Sequence, residues 1–124
     1  MIEVSDEQFS ALVAEALETL PRDHRKAIKN VALVYEQEPS LEQRERLKLA
    51  CNQTLFGLYE GIPLTQRMGM THFGPDKITI FKGPITASVQ TMDELRREVR
   101  HTLWHEVAHY FGLNHERIHE LEQK

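Results

Sequence analysis

The chain has 124 residues, 40% hydrophobic and 27% charged, the balance of a globular domain large enough to bury a core without staples. Its 15 basic and 19 acidic residues leave a formal charge of -4, which argues against a broad nucleic-acid surface. A single cysteine, Cys51, excludes an internal disulfide and points to a reducing compartment. No apolar run has the length of a membrane span, and residues 1–8 lack the layout of a signal peptide. One soluble, cytoplasmic domain over residues 1–124 is the expectation.

The first predicted element is a helix. Ser5 caps it, Gln8 completes a capping box, and Phe9, Leu12, Val13, Ala16 and Leu20 share one face. Pro21 stops it, and a short helical stretch follows over 22–29. Residues 31–35, apolar and β-branched, read as a buried strand ended by Glu38, Pro39 and Ser40. Ser40 caps a further helical stretch running from 41 to about 54. Residues 55–64, with two glycines and a proline, read as a strand with tight bends or a loop. Residues 77–82 alternate as a strand between Pro75 and Pro84, with a sheet edge expected there. Thr91 begins the last long helix with Glu94 as a second capping box, and Leu95, Val99, Thr102, Leu103, Glu106 and His109 follow at helical steps. Gly112 ends that helix in a left-handed conformation, and a short helix over about 116–122 closes the chain.

The chemistry lies at the end of the long helix. His105 and His109, four apart, stack on one helical face, and neutral imidazole suits zinc. Glu106 follows the first histidine about 100° around the axis, where it can accept a proton from water without ligating the metal. His115, six residues after His109, would lie about 9 Å further along an unbroken helix. It converges on the same ion only if the helix breaks, and Gly112 sits in the gap. The bare histidine pair is a weak signal in a chain of 7 histidines, and residues 115–119 repeat it by coincidence. Gly112 and His115 carry the specificity. His101 and His119 read as neighbours of the site or plain surface, not as ligands. Tyr59, His72 and Tyr110 are candidates to stabilise an oxyanion, each with a structural role as the more ordinary explanation.

The pattern His-Glu-x-x-His-x-x-Gly-x-x-His, here His105, Glu106, His109, Gly112 and His115, resembles the zinc signature of metzincin peptidases. A methionine turn downstream of the third histidine is missing: none of the nine residues after His115 is methionine. The whole chain is more similar to small bacterial zincin-like domains, through Asn30 and Val31, residues 57–64 and the strand at 78–81. The resemblance implies an α+β, minimal zincin-like fold, a small sheet packed on the active-site helix with flanking helices. It also implies one zinc ion held by His105, His109 and His115, with Glu106 as general base of a metallopeptidase. Aspartate often takes the third ligand position in that family, and His115 occupies it here.

The expected function is therefore zinc-dependent hydrolysis of a peptide or protein substrate, without nucleic acid or membrane as partner and with the substrate and oligomeric state open. An extended peptide would pair with residues 78–82 as a sheet edge, if those residues are not an ordinary core strand. Two alternatives stand beside it: a metal-dependent endoribonuclease, against which Glu106 and the acidic balance count, and a non-catalytic zinc-binding module.

Overall fold

The computed structural model describes residues 1–28, 31–46, 55–61 and 76–112. Ser5 caps α1 (Asp6–Glu18): its hydroxyl accepts from the Gln8 amide at 3.1 Å while the Gln8 side chain accepts from the Ser5 amide at 2.8 Å. Two of the helix's orphan amide donors are satisfied in this way. The predicted stripe is the buried one, with Phe9, Leu12, Val13 and Ala16 facing inward and Leu20 closing it. Pro21 then starts α2 (Arg22–Ala27), because its fixed φ suits a helix start and its missing N–H has no helical partner to lose.

The sheet has three strands in the order β1-β3-β2. Strand β1 (Val31–Glu36) pairs parallel with β3 (Asp76–Phe81), and β2 (Gly57–Glu60) pairs antiparallel with the other side of β3. Two expectations change here. Residues 78–81 are the centre of the sheet, not an edge, and Ile78, Thr79, Ile80 and Phe81 are at most 1% exposed. The run 31–35 is only half-buried: Val31, Leu33 and Tyr35 are covered while Ala32 and Val34 face solvent. Its inner face meets α1, where Phe9 and Tyr35 pack edge to face with ring centroids 5.7 Å apart.

Helix α3 (Leu41–Arg46) begins at Ser40 as expected, and residues 47–54 of that prediction lie outside the described residues. Its start is a further capping box: Gln43 donates its amide to the Ser40 hydroxyl at 3.1 Å and accepts from the Ser40 amide at 2.8 Å. The Gln43 side chain also donates to Glu60 at 3.1 Å, which fastens α3 to β2.

Straight after β3 comes a helix that the sequence reading did not include, α4 (Lys82–Ser88). Pro84 does not forbid it, because it stands in the first turn, where an amide N–H has no helical acceptor. Helix α5 (Met92–Tyr110) has Thr91 and Glu94 as its capping box, as predicted. It packs against α1, β2 and β3. Leu95, Val99 and Leu103 join Phe9, Leu12, Ile78 and Ile80 in one apolar core. At 19 residues α5 is about 28 Å long, so it reaches from that core to the edge of the sheet at β2. Among the described residues, no helix is long and apolar enough to cross a membrane. The predicted helix over 116–122 lies outside the described residues.

Candidate metal and active site

The last two turns of α5 carry the candidate residues. The rings of His105 and His109 meet with centroids 4.9 Å apart and planes at 72°, as an i, i+4 pair on one face must. Each of His105, Glu106 and His109 offers a ligand atom, and these atoms all lie within 4.8 Å of one another. The imidazoles are half-buried and the carboxylate is buried. Two imidazole nitrogens on one rigid helix suit zinc, and the Glu106 carboxylate stands beside them. His101 extends the stripe one turn earlier. It is exposed, its ring is 6.4 Å from that of His105, and it stands outside the group.

Glu106 turns from the histidine face onto β2. What lets it sit there is a glycine. A Cβ on Gly57 would lie 2.6 Å from the Thr102 methyl, 3.2 Å from Glu106 Cγ and 3.3 Å from the Thr79 carbonyl oxygen. Only a residue without a side chain lets α5 come this close to the strand. Burial pushes the Glu106 carboxyl up from its usual 4.5 to about 7, and a hydrogen bond from the Tyr59 backbone amide pulls it partly back. The helix surface therefore presents a carboxyl poised to take or release a proton near neutrality, one residue from a candidate ligand.

Gly112 ends the helix as the sequence required. Its φ is 88°, in the left-handed region, and its amide donates to the His109 carbonyl at 2.9 Å. Regular helix thus stops at Tyr110, with Phe111 as its C-cap, between His109 and His115 in the sequence. His115 itself lies outside the described residues, together with His72, His119 and the second histidine-glutamate repeat. Of the two tyrosines considered for an oxyanion, Tyr110 is buried and packs edge to face on Tyr59 with centroids 5.8 Å apart. It is the Tyr59 backbone that meets Glu106.

The sequence reading missed Gly57, Thr102 and the Tyr59 amide as parts of the site. In the sequence Gly57 reads as a tight bend and as part of the segment that carries the family resemblance, not as the contact that seats Glu106. A groove of about 350 Å³ opens beside His105 and Glu106, walled by Phe56 and Gly57 and extending to Glu98 and His101.

Among solved structures, the fold is similar to that of a conserved hypothetical protein from T. thermophilus. The TM-score is 0.59 at 20% identity, over 87% of this chain and 94% of that one. At that identity the likeness speaks for the fold alone. No curated protein matches the chain. The model of one family, zincin-like metallopeptidase, matches residues 28–124, from before β1 through the whole of α5 to the last residue. With that match over well over half of its length, an α+β fold of a small sheet on a long helix, and a His-Glu-His group on that helix, the chain belongs to the zincin-like metallopeptidase family.

Proposed function

We propose that the protein is a zinc-dependent peptidase in which His105, His109 and His115 hold one zinc ion and Glu106 is the general base. The observation that carries this reading is the buried Glu106 carboxyl, raised to about 7 and grouped with two imidazoles. A base serves best when its pKa is near the working pH, and desolvation moves Glu106 upward from the ordinary carboxylate range. Zinc, when bound, supplies a Lewis acid that polarises the scissile carbonyl and makes a water more acidic. Glu106 accepts the proton of the attacking water and hands it to the amine of the departing peptide. The Tyr59 amide and the narrow space at Gly57 keep the carboxylate from swinging away during that transfer.

The substrate is a peptide or protein. Among the described residues β2 has β3 on one side only, and it borders α5. An extended peptide pairs with the outer side of β2 and so passes over His105 and Glu106. Cys51, with no second cysteine to bond, supports a reducing, cytoplasmic setting for the domain.

The test is metal analysis of the purified protein together with proteolysis of casein. One zinc per chain is expected. Glu106→Gln keeps the zinc and loses roughly 10²–10⁴ of the rate, the share a positioned acid–base group contributes. Full turnover in that variant removes Glu106 from its role. His115→Ala weakens zinc binding roughly a hundredfold or more, as loss of one ligand from a site requires. Unchanged affinity removes His115 from the shell.

A further inference from the structure

Two cavities of about 350 and 370 Å³ follow α5 side by side and share Phe56, Glu98 and His101. The first opens on His105 and Glu106; the second ends at Ser88 and Val89. Glu98 stands where they join. It precedes His105 by seven residues, two helical turns or about 10 Å. A substrate whose scissile bond lies at His105 and Glu106 therefore reaches Glu98 only with a long side chain.

The charges of the groove are unequally matched. Glu94 spends its carboxylate on the Gln90 and Thr91 amides, both at 3.1 Å, within its own capping box. Arg97, which lines the second cavity, bears on Glu94: the Glu94 carboxyl is lowered first by the Gln90 backbone and also by Arg97. Glu98 is half-buried and accepts one hydrogen bond, from the Thr102 hydroxyl at 3.2 Å. Among the described residues no cation pairs with it. A carboxylate offers about four acceptor positions, so Glu98, which lines both cavities, has capacity for a further donor. Beside it the half-buried ring of Phe56 offers an apolar wall. Lysine and arginine are the side chains built for such a slot, with an apolar stem for the wall and a charged head for the carboxylate.

We infer that this groove is a subsite for a basic side chain of the substrate and that Glu98 determines that specificity. What is bound there rests on the peptidase reading; the chemistry of the groove does not.

The experiment is a titration of the isotopically labelled full chain, followed by amide NMR, with N-acetyl-arginine amide, N-acetyl-norleucine amide and N-acetyl-glutamate amide as probes. The arginine probe is expected to shift the amides of Phe56, Gly57 and residues 98–102 and to bind about tenfold more tightly than norleucine, as a charge-assisted hydrogen bond provides. Glu98→Gln, which keeps the acceptor for Thr102, loses that tenfold and leaves norleucine binding unchanged. Equal binding of arginine and norleucine, tighter binding of glutamate, or an unaltered arginine preference in Glu98→Gln overturns the proposal. Casein fragments mapped by mass spectrometry separate the two readings. Cleavage without preference for basic residues removes the subsite and keeps the peptidase; arginine binding without cleavage keeps the subsite and removes the peptidase.

Discussion

Helices α1 and α5 start in the same way and finish differently. Each opens with a hydroxyl residue and a capping box, and each lays an apolar stripe against the same core. Along α1 the stripe stays apolar, Phe9 through Ala16. Along α5 it runs through Leu95, Val99 and Leu103 and then reaches Glu106, which is as buried as its neighbours at 7% exposure. A buried carboxyl costs stability unless it is neutralised or paired. The shared half of the pattern builds the fold; the departure buries a carboxyl at a cost to stability.

The largest effect that sharpens this contrast is the pH dependence of the metal-stripped protein. Because burial raises the Glu106 pKa above its unfolded value of 4.5, the folded chain holds that proton more tightly than the unfolded one. Its stabilising effect is fully present below pH 4.5 and is lost as pH rises through about 7. In excess chelator the unfolding free energy should fall across this window by roughly 3 kcal/mol, and Glu106→Gln should flatten that part of the profile. The same slope in both proteins would mean that Glu106 carries no such burden.

A somewhat smaller effect is expected at the contact that buries it. Gly57→Ala puts a methyl 2.6 Å from that of Thr102, an overpacking cost of about 1–3 kcal/mol. Thr102→Ser deletes the opposing methyl, so the double variant should regain most of the loss in urea unfolding. Additive losses would show that the two residues do not meet. The smallest effect tests the half that the helices share. Ser5→Ala and Thr91→Ala should each lower stability by about 1 kcal/mol, read in the same experiment. A much larger loss at Thr91 than at Ser5 would tie the start of α5 to the site as well as to the fold.

Features set by neighbours in the chain were legible before any coordinates. The two capping boxes, the buried stripe of α1, the course of α5 and the left-handed Gly112 all follow from residues within a few positions of one another. What stayed hidden depends on partners far away in sequence. The strand at Asp76–Phe81 looked like an edge because Pro84 follows it, yet its status is decided by β1 and β2, which lie on either side of it. The same proline concealed α4, whose first turn tolerates it. Gly57 looked like a turn former, because nothing local announces that Thr102 and Glu106 will press against it from α5. The histidine spacing announced the candidate site; the groove leading to Glu98 could not be read, since its walls come from two distant segments.

The contact at Gly57 has a consequence for descent. Positions 57, 102 and 106 occupy one small volume and cannot drift independently. A relative that acquires alanine at the first must surrender bulk at the second or abandon the depth of the third. Sorting relatives by this triplet would separate lineages that keep a seated carboxylate from those that retain only the histidine framework around it.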